Sequence, residues 1–260
     1  MPTLSPPDVS LDALKRALDL DELRVFYQPQ FALDVGGYSS IEALVRWRHP
    51  TRGLLGPAAF LGLAESAGLM SQVTDFVLAK ACRDAANWPG IAVAVNISPA
   101  EFNDALLASR LERALGRWGF PPERLVVEIV ESAGLGDPVR AIAVARELRS
   151  MGVRLAIDDF GVGFSSLSLL RRIPFDLVKI DKSFVDAIPE PRSTAIIRSI
   201  IGLAHTLGAK VVGEGVETQD QARFLNGAQC DYLQGFLFSR PIEASDVATK
   251  LSESPAALLA

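Results

Sequence analysis

Two carboxylates stand side by side in Ile157-Asp158-Asp159-Phe160-Gly161, where an apolar run from Val153 to Ile157 reads as a buried strand. Bringing two anions to the end of such a strand is costly in desolvation and mutual repulsion unless something positive compensates. A divalent metal ion is one compensator. The other reading is a helix N-cap, since either aspartate could cap a helix over Ser165 to Leu170; that accounts for one acid but hardly for two.

Residues of the same chemical kind recur through the chain, in or just after predicted strands: Glu42, Asn96, Glu128, Lys179, Asp181, Glu214 and Gln234. Each alone has a bland reading, Glu42 as an edge charge, Asn96 as a turn former, Lys179 as half of a surface ion pair. The recurrence from strand to strand is the informative part. Carboxylate and amide oxygens are hard ligands suited to Mg²⁺ or Mn²⁺, and adjacent acids can hold two ions close together. Lys179 separates the hypotheses: in an apolar strand it either loses its proton and acts as an amine nucleophile, or stays charged and orients water or a phosphate oxygen. Gly161 to Ser166 resembles a phosphate-cradling turn at a helix start, which is weak evidence by itself.

These residues need a scaffold that gathers strand ends. A short amphipathic helix is predicted over Leu11 to Leu20, then a hairpin of Leu23 to Leu33 and Tyr38 to Trp47 around the turn Asp34-Val35-Gly36-Gly37. Helical patterns at Pro57 to Ala67 and Ser71 to Trp88 precede a regular alternation. Its strands are Ile91 to Ile97, Arg124 to Val130, Val153 to Ile157, Leu177 to Ile180, Lys210 to Gly213 and Asp231 to Phe236. Its helices are Ala105 to Trp118, Pro138 to Met151, Ser165 to Arg171, Thr194 to Leu207 and Gln219 to Asn226. Alternation of this kind implies a mainly parallel sheet covered by helices, and roughly eight strands is the number that closes an α/β barrel. At the C-terminal mouth of such a barrel the acids, amides and lysine would converge.

Composition narrows the class. A chain of 260 residues, 49% hydrophobic and 22% charged, with mean hydropathy +0.23, can bury one large core. The net charge of -5 offers no general attraction for a nucleic-acid polymer. Two histidines, His49 and His205, are too few for a His-rich zinc site or a histidine relay, and Cys82 and Cys230 form no framework and fit a reducing compartment. Without a basic leader or a membrane-length apolar run, a cytoplasmic chain with no membrane contact is expected, or a domain cut from a larger protein.

The segment Ile41-Glu42-Ala43-Leu44-Val45-Arg46-Trp47 resembles the signature of the EAL domain, the cyclic di-GMP phosphodiesterases. Asn96-Ile97-Ser98, Glu128-Ile129-Val130-Glu131-Ser132, Asp158-Asp159-Phe160-Gly161, Lys179-Ile180-Asp181, Glu214-Gly215-Val216-Glu217 and Gln234-Gly235-Phe236 are similar to the family's further motifs, in the same order. The likeness runs from about Tyr27 to Pro241.

The resemblance implies an α/β fold, a modified (β/α)₈ barrel of the TIM type opening with an antiparallel hairpin, over residues 23–253 after a lead-in of residues 1–22. It implies hydrolysis of cyclic di-GMP to linear pGpG with two Mg²⁺ or Mn²⁺ ions; the oxygen ligand set itself predicts that Ca²⁺ binds the same mouth and inhibits, because its looser coordination would misplace the attacking water. Glu42, Asn96, Glu128, Asp158 and Asp159 would hold the metals. Lys179, Glu214 and Gln234 would be catalytic; if Lys179 and Glu214 serve only to position or deprotonate the water, both are expected to be dispensable for folding. Gln28, Arg46, Asp181, Glu217 and Pro241 would contact the substrate, and Glu131 would anchor the loop after Asp159. A homodimer is implied, with regulatory domains in a parent protein. Val130, Val162 and Phe164 depart from the family's usual threonine, threonine and tyrosine, each losing a hydroxyl. Two other readings compete: a barrel that binds cyclic di-GMP without cleaving it, and an aldolase-like barrel using Lys179 as a Schiff base.

Overall fold

The strand and helix alternation closes on itself. In the computed structural model, which describes residues 9–130, 137–162 and 172–255, the strands are β1 (Leu23–Ala32), β2 (Gly37–His49), β3 (Gly53–Leu55), β4 (Ala92–Ile97), β5 (Leu125–Val130), β6 (Arg154–Phe160), β7 (Leu177–Ile180), β8 (Lys210–Gly213) and β9 (Tyr232–Leu233). Their order is β1-β9-β8-β7-β6-β5-β4-β2-β3, and β1 also pairs with β2, so eight strands form a ring with β3 as a flap outside it. All ring neighbours from β2 round to β9 run parallel, whereas β1 is antiparallel to both β2 and β9. The expected barrel with an opening hairpin is therefore the observed fold.

Period-two alternation along each strand sorts residues between two environments. Outward residues such as Val93, Val95, Val127, Leu155, Ile157 and Val178 pack under the helices in one large core. Inward residues of the lower barrel form a small separate cluster, Ala92, Ala94, Val126, Ala156, Leu177 and Val212. Continuing the same faces upward leads from Ala94 to Asn96, from Val126 to Glu128, from Ala156 to Asp158, from Leu177 to Lys179 and from Val212 to Glu214. The polar site is thus the layer directly above this apolar cluster.

Local signals set the helices around this ring. Asp137 caps Pro138–Ser150, accepting from the Val139 and Arg140 amides, and Thr218 and Gln221 form a reciprocal capping box for Gln219–Gly227. The first helix, Leu11–Asp19, is capped by Ser10, and its Leu14 and Ala17 are fully buried in the large core.

Several boundaries differ from expectation for identifiable reasons. Gly53–Leu55 forms a third strand against Trp47 to His49, although three residues carry no periodicity to read. Helices Lys182–Asp186 and Ala244–Leu251 were not anticipated; the first is a single turn capped by Asp181. The last strand stops at Leu233, since the Gln234 carbonyl turns to accept from the Val216 amide. The helix expected over Ser165 to Arg171 lies outside the described residues.

Candidate active site

The strand carrying the two aspartates does not end before them: β6 continues to Phe160, so both lie inside it. In a regular strand adjacent side chains point to opposite faces, and only one could reach the barrel mouth. The pairing of β6 with β7 is interrupted between Ile157 and Phe160, and Asp159 takes a left-handed backbone, φ 54°. This local irregularity swings Asp159 towards the same side as Asp158. Oxygens of Asp158, Asp159 and Glu214 come within 4.8 Å of one another, close enough to share an ion.

Lys179 occupies the centre. Its side chain is 1% exposed, and Nζ lies 2.9 Å from Glu128 Oε2, 2.9 Å from Glu214 Oε1, 3.1 Å from Asp158 Oδ1 and 3.8 Å from Glu42 Oε2. Burial works against the ammonium, yet Asp158, Glu128, Glu214 and Glu42 outweigh it and hold its pKa well above the usual lysine value. A permanently charged lysine is a poor amine nucleophile, so the Schiff-base reading loses its premise. Its complete burial also removes the expectation that it is dispensable for folding.

One cation facing four carboxylates leaves an excess of negative charge. Burial pushes the Glu128 and Glu214 carboxyls well up, with Lys179 opposing, and burial together with neighbouring Asp158 and Asp181 pushes Asp159 up to about 6. Carboxyls that strain to take up protons around one lysine are what a hard divalent cation would satisfy, and the oxygen-only donor set fits Mg²⁺ or Mn²⁺.

Amides complete the floor. Asn96 Nδ2 donates to Glu42 Oε1 at 2.8 Å, and Gln234 Nε2 donates to Glu42 Oε2 at 2.6 Å and to Gln28 Oε1 at 3.2 Å. Gln234 is held where it is by Gly235, at which a Cβ would collide with the backbone of Val216. Two residues not anticipated extend the chain downward. Ser40 Oγ donates to Gln30 Oε1 at 2.5 Å, and Gln30 Nε2 donates to Gln234 Oε1 at 2.8 Å. Because Ser40, as a hydroxyl donor, requires an oxygen at that position, it fixes the orientation of the Gln30 amide, which in turn fixes that of Gln234. The alternation Gln28-Pro29-Gln30 was the available signal, placing both glutamines on one face of β1.

A cleft of about 270 Å³ opens over this floor, lined by Gln28, Glu42, Asp159, Asp181, Glu214 and Gln234, with Glu217 and Phe236 at its edge. Asp181 also caps the following helix, and exposed Glu217 pairs with Lys182 Nζ at 2.9 Å. Arg46 stands on the Glu42 face of β2 four residues further on, outside that lining, with Nη1 donating to the Val45 carbonyl. Half-buried Pro241 also lies outside it, beside the Tyr27 and Ile242 bridge. Val162 is 55% exposed, while Glu131 and Phe164 lie outside the described residues.

The Glu42-to-Gln234 sequence of site residues is covered in full by one family: residues 11–241 match the profile of the EAL domain. The chain belongs to the EAL domain family. It is 44% identical over 237 residues to cyclic di-GMP phosphodiesterase NbdA of Pseudomonas aeruginosa, covering 89% of this chain and 30% of that protein. It is 46% identical over 230 residues to a signalling protein of Caulobacter vibrioides, covering 88% and 28%. The chain thus spans less than a third of the length of these relatives. Among solved structures, the PaMucR phosphodiesterase in complex with c-di-GMP superposes with a TM-score of 0.87 at 39% identity, covering 91% of this chain and 98% of that one. Among the described residues, no helix is long and apolar enough to cross a membrane.

Proposed function

We propose that this EAL domain, the barrel of residues 23–253, hydrolyses one phosphodiester bond of cyclic di-GMP to give linear pGpG, using two Mg²⁺ or Mn²⁺ ions. The observation that carries the reading is the convergence of Glu42, Glu128, Asp158 and Glu214 on buried Lys179 under an open cleft, with Asp159 turned to the same mouth. The names borne by NbdA and PaMucR support the choice of substrate.

Glu42, Asn96, Glu128 and Asp158 would hold one ion, and Asp158 and Asp159 the other. When bound, the ions lower the pKa of water and neutralise charge on the phosphoryl group. The remaining work falls to side chains. Lys179 holds Glu128, Asp158 and Glu214 at fixed spacing and orients the attacking water. Glu214 has the most exposed side chain of the four carboxylates around that lysine, 16% against 1% for Glu128, so it can reach this water and take its proton. Gln234 and Asn96 donate to the two oxygens of Glu42, which leaves that carboxylate little freedom to rotate. Gln28, Asp181, Glu217 and, from further out, Arg46 and Pro241 would meet the nucleotide, and Glu131 would anchor the loop after Asp159.

Ca²⁺ would occupy the same oxygens in a longer, less regular shell and inhibit. In this reading the chain works in the cytoplasm as a homodimer, attached to regulatory domains. The test is cyclic di-GMP turnover with Mg²⁺ and then with EDTA, following pGpG by chromatography. Metal-dependent pGpG formation is expected; tight binding without product under Mg²⁺ would replace the reading with a binding module.

A further inference from the structure

The barrel has a second mouth. At its N-terminal end a cavity of about 340 Å³ is lined by Gln30, Ser39, Ser40, Glu123, Arg124, Arg154 and Tyr232, with Glu128 as its roof. The space exists because the inward residues at this level, Ala92 and the neighbouring Val126, are small. Arg154 points into it by the same alternation that places Asp158 in the catalytic mouth. The two are four residues apart on β6, about 13 Å along a strand, so the cavity and the cleft open at opposite ends.

Arg154 is an anomaly there. Its Nε is buried without a hydrogen-bond partner, and no ion pair or hydrogen bond holds its guanidinium among the described residues. A buried donor left unmade is costly, and native interiors seldom leave one unexplained. The other cation lining the cavity is already engaged: Arg124 donates from Nε to Ile91 O and from Nη2 to Ala85 O and Trp88 O. The carboxylate in the roof is also engaged, since Glu128 sits 2.9 Å from Lys179. Glu123 is exposed at the rim. Among the described lining residues Arg154 is left as a free positive charge with an unpartnered donor, beside the hydroxyls of Ser39 and Tyr232.

We propose that the N-terminal mouth of the barrel is a second ligand site, in which Arg154 grips a small oxyanion, a phosphate or carboxylate group. A guanidinium offers such a group paired parallel N–H donors, and the hydroxyls of Ser39 and Tyr232 supply further donors to its remaining oxygens; the Ser40 proton is already given to Gln30. The site is separate from the catalytic cleft and does not depend on what the cleft cleaves.

The probe is inorganic phosphate, titrated by calorimetry and by thermal melting in EDTA, where the catalytic mouth carries an excess of carboxylates and repels anions. Wild type should bind phosphate saturably, with a matching rise in Tm. Arg154→Ala should melt at or above wild type in phosphate-free buffer, since it removes an unpartnered donor, and should bind phosphate at least tenfold more weakly. Arg46→Ala, altered near the catalytic mouth, should bind phosphate as wild type does. A Tm that rises equally in wild type and Arg154→Ala reflects general salt stabilisation and would overturn the site, as would loss of binding in Arg46→Ala instead. Should Arg154→Ala fail to fold, Arg154→Lys decides: it retains charge without the paired donors, and wild-type affinity in it would refute the guanidinium grip.

Discussion

Replacing Lys179 with methionine removes the cation that, among the described residues, faces a buried cluster of four carboxylates, and leaves a side chain of similar length. Removing one partner of a buried ion pair costs about 3–5 kcal/mol, because the charge left behind has lost its solvent and its counter-charge. Total stabilities are on the order of 5–15 kcal/mol. At about 2–4 °C per kcal/mol for a chain of this size, metal-free Lys179→Met should melt about 6–20 °C below wild type. The deficit has a sign in pH. Glu128 and Glu214 are already pushed up by burial, so with the lysine gone they can escape by taking up protons. Acid conditions make that escape cheap, and the deficit should be smaller near pH 5 than near pH 8. Saturating Mg²⁺ should then recover part of the loss, since a ligand at a hundredfold its Kd adds about 2.7 kcal/mol to the folded state. The assay is calorimetric melting of both proteins at two pH values in EDTA and in Mg²⁺, with cyclic di-GMP turnover alongside. Turnover should fall by orders of magnitude even where Mg²⁺ restores the fold. An unchanged Tm in EDTA would refute the electrostatic account of the cluster, and retained turnover would remove Lys179 from the mechanism.

Gln30→Leu leaves Gln234 Oε1 without its donor, so the Gln234 amide can turn over and present oxygen to Glu42; activity or metal affinity should drop about 10–100-fold, as for other residues behind metal ligands, with little change in fold by circular dichroism. Asp159, pushed up to about 6, must give up its proton to a metal, so apparent Mg²⁺ affinity should weaken as pH falls through about 6, with proton release visible by titration calorimetry in buffers of different ionisation heat. Titrating Ca²⁺ into a Mg²⁺ assay should abolish turnover while cyclic di-GMP binding persists; undiminished turnover at saturating Ca²⁺ would sink the shared-site argument. Burial pushes the Cys82 and Cys230 thiols up to about 12, so neither should react with a thiol reagent near pH 8 until denaturant is added.

The top of the barrel was legible because it rests on two periodicities the sequence displays openly: strands alternating with helices, and polar residues at strand ends. Both survive in the fold, and the acids, amides and lysine singled out at strand ends meet in one mouth. Other features depend on ring closure, which no local pattern encodes. Gln30 and Ser40 look like the solvent face of an antiparallel hairpin, and they become interior only because β1 is enclosed between β2 and β9. Arg154 at the start of a strand looks like an ordinary edge charge until ring closure turns its face inward. The charge on Lys179 was left open between two chemistries, since the choice depends on how many carboxylates surround it.

The adjacent aspartates illustrate the limit most clearly. Asp158-Asp159 pointed to shared metal chemistry, yet a regular strand would send the two side chains to opposite faces, one into the mouth and one under the helices. Had β6 stayed regular, Asp159 would have been a buried anion among Ile157's neighbours, out of reach of an ion held by Asp158. The irregularity between Ile157 and Phe160 resolves this, at the cost of a left-handed conformation that aspartate adopts more readily than most side chains. Gly161, at φ 101°, continues the departure from strand geometry immediately afterwards, with Phe184 packed where a Cβ would lie. The requirement for Gly161 and the paired use of both acids are therefore consequences of one backbone distortion, which the sequence contains but does not announce.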